Sequence, residues 1–198
     1  MLLPTIYFLR HGLTFAGKDK QTAGTMETEL TPAGFEQGRS SGNFLRPFKI
    51  KKIYASPQSR VRQTIKAMSL DWPVEYDDRL REMHYGSFEG KSWEFCQRGG
   101  LTFMNLFRNP QLSLGGCERY CDAEARMILF ANEKLEGTQD PIGIVGHGGS
   151  GRVLLATLLP HLKEEIAALP IGNADVIKIS DGTFKIIFET PKPEIDIK

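Results

Sequence analysis

Apolar and polar positions along the chain fall into short runs of two different periods. Residues 5–9 (TIYFL) are an apolar run rich in β-formers, which predicts a buried first strand. A polar stretch over 17–29 reads as loop. Thr31 followed by Pro32 supplies an N-cap and a first helical residue, and predicts a helix to Leu45 that stops before Pro47. Residues 52–55 predict a second strand. Ser56-Pro57 repeats the cap-then-proline pattern and predicts a helix through Met68, and residues 73–76 a third strand. Ala123, Met127, Phe130 and Ala131 recur at helical spacing inside a helix over 118–135. A strand over 142–145 and a helix over 151–159 follow. Residues 175–180 and 184–188 predict a hairpin around Asp181-Gly182, before a polar tail over 191–198. Residues 80–116 show no clean period. They carry Phe88, Trp93, Phe95, Phe103 and Phe107, and residues 91–116 read as a helical insertion or lid.

Alternating strands and helices predict an α/β fold: a three-layer α/β/α sandwich around a mostly parallel sheet, with residues 1–198 as a single domain. In such sheets a ligand sits at the carboxyl ends of the strands. That brings together 10–12, 55–57 and 146–148.

Composition narrows the partners. The 25 Lys+Arg against 24 Asp+Glu give a net charge of +1, which argues against a broadly basic nucleic-acid face. No apolar run approaches the ~20 residues of a membrane span. The apolar start is short and runs straight into Arg10-His11, so it reads as a strand and not as a leader. Three cysteines, Cys96, Cys117 and Cys121, make no disulfide framework and favour a reducing, cytoplasmic setting. Cys117 and Cys121 are spaced C-x3-C, but no nearby His or Cys completes a zinc site.

The chemistry concentrates at the strand ends. His11 follows the first strand, His147 follows the 142–145 strand, and Arg60 lies one turn past the second. Guanidinium groups present planar forks of donors that match phosphate oxygens. Among them an imidazole is favoured in its neutral form, because like charge disfavours protonation. Such a cluster suits phosphoryl transfer through a phosphohistidine, with a carboxyl to protonate the leaving oxygen.

These residues resemble the histidine phosphatase superfamily, the phosphoglycerate mutase-like proteins. Leu9-Arg10-His11-Gly12-x-Thr14 resembles its signature, and Leu30-Thr31-x-x-Gly34-x-x-Gln37 its first-helix motif. Tyr54-Ala55-Ser56-Pro57-x-x-Arg60-x-x-Gln63-Thr64 is similar to its second-strand motif, and Leu80-Arg81-Glu82 with Gly86-x-x-Glu89-Gly90 to its acid-bearing loop. Val145-Gly146-His147-Gly148-Gly149 and Asn173 match later positions. The resemblance implies that His11 is the phosphorylated nucleophile and that Arg10, Arg60 and His147 bind the phosphoryl oxygens. It implies that Glu82 is the general acid, with no metal or other cofactor required. Thr14, Gly24, Gly148 and His84 are the expected substrate-side residues.

Leu13 and Gly17 stand where the family often has Glu and Asn, and Gln21-Thr22-Ala23-Gly24 departs from its Arg-x-Gln-Gly. Those departures bear on the substrate. Arg81-Glu82-Met83-His84-Tyr85-Gly86 resembles the mutases, whereas Ser87-Phe88-Glu89-Gly90 and the short segment after it resemble the phosphatase branch. The expectation is a phosphomonoesterase for a small phosphorylated metabolite. Mutase-type transfer, a phosphoprotein phosphatase and a non-catalytic interaction module are the alternatives. Gly146-x-Gly148-x-x-Gly151 also fits a dinucleotide turn, but Pro160 and Pro170 interrupt what should follow it. Around Ser150 a hydrolase elbow fails at Arg152, and no Lys-Ser/Thr completes a Walker loop.

Overall fold

The computed structural model describes residues 3–191. Six strands form one sheet: β1 (Ile6–Arg10), β2 (Lys52–Ala55), β3 (Val74–Tyr76), β4 (Ile142–Gly146), β5 (Val176–Ser180) and β6 (Thr183–Phe188). Their spatial order is β3-β2-β4-β1-β5-β6. The first four in that order run parallel, and β5 and β6 are antiparallel additions at one edge. Eight helices connect them: α1 (Phe15–Lys18), α2 (Pro32–Leu45), α3 (Ser59–Met68), α4 (Trp93–Arg98), α5 (Phe103–Arg108), α6 (Tyr120–Lys134), α7 (Gly148–Leu158) and α8 (Lys163–Ala168).

The strand period decides the layers. On β1, Tyr7 and Leu9 face a cluster with Leu45 of α2 and with Val61 and Met68 of α3. Ile6 and Phe8 face the larger cluster built by α6, α7 and α8. The expected three-layer α/β/α sandwich is therefore the observed architecture. The segment over 91–116 contains α4 and α5, whose Cys96, Leu106 and Phe107 join the same cluster as Tyr120 and Met127. No helix among the described residues is long and apolar enough to cross a membrane.

Several element boundaries depart from the sequence expectation. The polar stretch after β1 holds the short helix α1, capped by the Thr14 hydroxyl, which accepts from Gly17 N at 3.0 Å. Helix α3 begins at Ser59 and not at Ser56-Pro57, because the Ser56 hydroxyl is engaged by His147 at 2.8 Å instead of capping a helix. Helix α7 begins at Gly148, three residues before the expected start, directly after the strand end. The β5–β6 hairpin turns as expected, with Asp181 and Gly182 both at positive φ. Met1, Leu2 and all but the first residue of the polar tail lie outside the described residues.

Candidate active site

A cavity of about 430 Å³ opens at the carboxyl ends of β1, β2 and β4. Arg10, His11, Thr14, Gly24, Arg60, Glu82 and Gly148 all line it. His147 lies directly behind that wall, fully buried, with its ring edge-on to His11 at 5.3 Å between centroids. His84 does not reach the cavity. Its backbone is pinned on both sides by Glu118, which donates from its N to His84 O at 2.7 Å and accepts from His84 N at 3.3 Å, and the imidazole stays exposed.

His11 is held by short-range covalent geometry and long-range packing together. Its N–H continues the β1–β4 ladder to Gly146 O at 3.0 Å, and its carbonyl accepts from Asn173 Nδ2 at 3.2 Å. Gly12 N donates to the Thr64 hydroxyl at 3.0 Å. A Cβ on Gly12 would stand 2.3 Å from Gly34 O, so α2 can approach β1 only over glycine. The His11 Nδ1 lies 2.8 Å from Gly12 O. A carbonyl only accepts, so Nδ1 carries the proton and Nε2 keeps its lone pair. Nε2 has no hydrogen-bond partner among the described residues. Burial, then the Arg60 and Arg10 charges, push the His11 imidazole well below the usual histidine range, so it is neutral at pH 7.

His147 is locked the other way. Arg60 Nε donates to its Nδ1 at 3.2 Å, which leaves Nε2 as the protonated nitrogen, donating to Ser56 Oγ at 2.8 Å. Burial and the neighbouring Arg60 hold this ring well below the ordinary range too. Both its nitrogens are thus engaged by protein. The Arg60 guanidinium is fixed further by Met26 O at 2.9 Å and Gly24 O at 2.7 Å. Arg10 donates from Nη1 to Ile171 O at 2.6 Å, and its buried Nε has no partner.

Glu82 reaches the same space from the loop after β3. Its carboxylate accepts from Gly149 N at 3.0 Å and Ser150 N at 2.6 Å, at the start of α7. Arg126 clamps that loop by donating to Arg81 O at 2.9 Å while pairing with Glu118 at 2.8 Å. Gln58 joins the parts, donating to Gly24 O at 3.2 Å and accepting from Glu82 N at 2.9 Å.

Sequence reasoning passed over three residues that matter here. Ser56 Oγ accepts from the His147 nitrogen that Arg60 leaves protonated. Tyr85 lines the cavity, and burial raises its hydroxyl well above the usual tyrosine range, so it is a neutral donor. Arg152, also lining the cavity, is a third cation. It could have been found as the basic residue four positions past Gly148, on the helix face that returns to the strand end. Among the described residues no cluster of three or more His, Cys, Asp or Glu side chains is placed to hold a metal ion. The cluster can therefore present a neutral imidazole lone pair, two fixed guanidinium groups and a carboxyl to one small anionic group.

Known proteins resemble this chain in sequence and fold. The chain is 29% identical over 178 residues to a Hydrogenobacter thermophilus protein named "Putative phosphoserine phosphatase 2", with 88% of each chain covered. It is 34% identical over 209 residues to a 2,3-bisphosphoglycerate-dependent phosphoglycerate mutase of Parabacteroides distasonis, covering 87% of this chain and 84% of that one. The solved structure of a mycobacterial glucosyl-3-phosphoglycerate phosphatase in complex with VO3 superposes with a TM-score of 0.74 at 25% identity, covering 89% of this chain and 92% of the other. The family model for the histidine phosphatase superfamily (branch 1) matches residues 6–187, so the chain belongs to that superfamily, whose members among its relatives are phosphatases and phosphoglycerate mutases.

Proposed function

We propose that this protein is a single-domain phosphomonoesterase that hydrolyses a small phosphorylated metabolite through a phosphohistidine on His11, without a metal. The observation that carries the reading is the unpartnered Nε2 of a neutral His11, facing a cavity whose walls include Arg10, Arg60 and Glu82. In the first step Nε2 bonds to phosphorus, the ester P–O bond breaks, and the leaving oxygen takes its proton from Glu82. In the second, water attacks the phosphohistidine, gives its proton to the Glu82 carboxylate, and inorganic phosphate leaves. Arg10 and Arg60 stabilise the charge on the equatorial oxygens in both steps. His147 acts through Arg60 rather than on the phosphoryl group.

The test is a rapid acid and alkaline quench with labelled phosphomonoester. Acid-labile, alkali-stable label on wild type, absent from His11→Ala, is the expected result. Equal turnover by wild type and His11→Ala would sink the proposal. Glu82→Gln should slow alkyl phosphates at least tenfold more than p-nitrophenyl phosphate, whose leaving group needs no proton. Equal slowing of both would remove Glu82 from the acid role.

Mutase-type transfer is the second reading, favoured by the 34% identity to the Parabacteroides mutase. That alignment runs over 209 positions while covering 87% of this chain, so the mutase carries residues that this chain lacks. A mutase must shield its phosphohistidine from water, and additional chain over the site serves that end. The labelled enzyme distinguishes the readings: release of label as inorganic phosphate supports the phosphatase, and transfer to added phosphoglycerate supports the mutase.

A further inference from the structure

Glu89 belongs to the acid-bearing motif, yet it does not line the cavity and forms no ion pair among the described residues. Its carboxyl collects hydrogen-bond donors instead. Oε1 accepts from Thr25 N at 2.7 Å, from the Thr25 hydroxyl at 2.9 Å and from Tyr85 N at 3.0 Å. Oε2 lies 3.1 Å from the same hydroxyl. The approach is close: a Cβ on Gly24 would stand 2.2 Å from Oε1, and Gly24 holds a φ of +53°, so glycine is what lets the carboxyl in.

What Glu89 holds is a peptide group that serves Arg60 from its other side. Residues 23–26 form a tight turn, closed by Met26 N donating to Ala23 O at 2.9 Å. The middle peptide of that turn carries Gly24 O and Thr25 N, which point in opposite directions because the peptide is trans. Thr25 N donates to Glu89, while Gly24 O receives Arg60 Nη2 at 2.7 Å and Gln58 Nε2 at 3.2 Å. Met26 O, at the end of the turn, receives Arg60 Nη1 at 2.9 Å. With His147 on Nε, three of the five guanidinium N–H groups are then taken. The other N–H on each terminal nitrogen is the one with which Arg60 can meet an oxyanion in the cavity it lines. Their direction follows from the two turn carbonyls, and the plane of the peptide bearing one of those carbonyls follows from Glu89.

We propose that Glu89 is a positioning residue for Arg60: by holding the Gly24–Thr25 peptide it fixes the guanidinium in the orientation that receives a phosphoryl oxyanion. The proposal rests on the reading of Arg60 as a cation that binds the phosphoryl group, and it makes no use of the hydrolytic step. The physical gain is preorganisation, since an arginine whose supporting carbonyl can turn away must be ordered again each time a ligand binds. Glu89 also takes Tyr85 N, so the same carboxyl keeps this turn in register with the loop that carries Glu82.

Inorganic phosphate is titrated calorimetrically into wild type, Glu89→Leu and Glu89→Gln. Leucine approximates the bulk of glutamate but accepts nothing, whereas glutamine keeps one acceptor oxygen for the two N–H groups. Glu89→Leu should weaken phosphate binding about tenfold, the low end for a lost hydrogen bond to a charged group, and Glu89→Gln should retain most of the affinity. Arg60→Lys, which keeps the charge without the fork, separates positioning from a merely structural role. In that background Glu89→Leu should cost no more than about twofold, because the group it positions is gone. Unchanged affinity in Glu89→Leu, the same tenfold loss in both backgrounds, or a loss as large for Glu89→Gln as for Glu89→Leu overturns the proposal. If Glu89→Leu does not fold, Thr25→Val and Thr25→Ser decide: weaker phosphate binding by the first alone supports the proposal, and equal binding by both overturns it. The titration is repeated with His11→Ala as the parent. A Glu89→Leu loss of the same size there supports the proposal even where the hydrolytic reading fails, and equal affinity with and without Glu89→Leu overturns the proposal while that reading stands.

Discussion

Two neutral histidines buried among arginines make stability depend on pH in a window where few other groups titrate. His11 is 7% exposed and His147 is fully buried, and both imidazoles are held well below their ordinary pKa by burial and by Arg60. In the unfolded chain each titrates near 6.5. As pH falls below that value the unfolded state takes up protons that the folded state refuses, so unfolding becomes more favourable. For one histidine the loss between pH 6.5 and pH 5.5 is about 1 kcal/mol, and for the pair about 2 kcal/mol. That is a substantial part of the ~5–15 kcal/mol that stabilises a typical domain. The depressed carboxylates Glu75, Asp77 and Glu133 lose their contribution only at lower pH, so they do not confuse the window. Urea unfolding at pH 7.5, 6.5 and 5.5, in phosphate-free buffer, measures the slope. His147→Gln should remove about half of the pH-dependent fall, whatever it does to absolute stability, and His11→Gln the other half. Wild-type and variant curves that remain parallel from pH 6.5 to 5.5 would refute the reasoning.

Two glycines carry further predictions. A Cβ at position 149 would stand 2.3 Å from Tyr85 Oη and 2.8 Å from Glu82 Oε1, both far ends of side chains. Gly149→Ala should therefore lower kcat on alkyl phosphates at least tenfold by displacing Glu82, while thermal unfolding shifts by only a few degrees; unchanged kcat counts against Glu82's placement. At position 34 the Cβ would meet the backbone itself, 2.1 Å from Leu13 O. Gly34→Ala should cost about 1–3 kcal/mol of strain, more than the ~1 kcal/mol that alanine gains in a helix, and a denaturant midpoint above wild type would contradict it.

The parts that could be read along the chain were those governed by local chemistry. Short apolar runs rich in β-formers placed the six strands, and Thr31-Pro32 placed the start of α2, because caps and strand preferences act over a few residues. Ser56-Pro57 obeyed the same local rule and misled, since the hydroxyl bonds to an imidazole 91 positions away. His84 sits two residues from Glu82 in sequence, yet its backbone pairing to Glu118 keeps the side chain out of the cavity. Segment 91–116 had no period to read because its apolar residues pack partly on α6 and partly against the cavity, a surface with no single direction.

By itself, then, the sequence determined which residues stand at the strand ends, and with them the pairing of His11 and His147 with Arg10 and Arg60. What only the tertiary structure decided is the state of those residues. The engagement of both His147 nitrogens follows from Arg60 and Ser56, supplied by distant parts of the chain, and the neutral state of His11 follows from its burial beside Arg60 and Arg10. The physical reason is that tautomer, charge and desolvation are set by the nearest few ångströms of packed protein, and neighbours at that range are chosen by the fold.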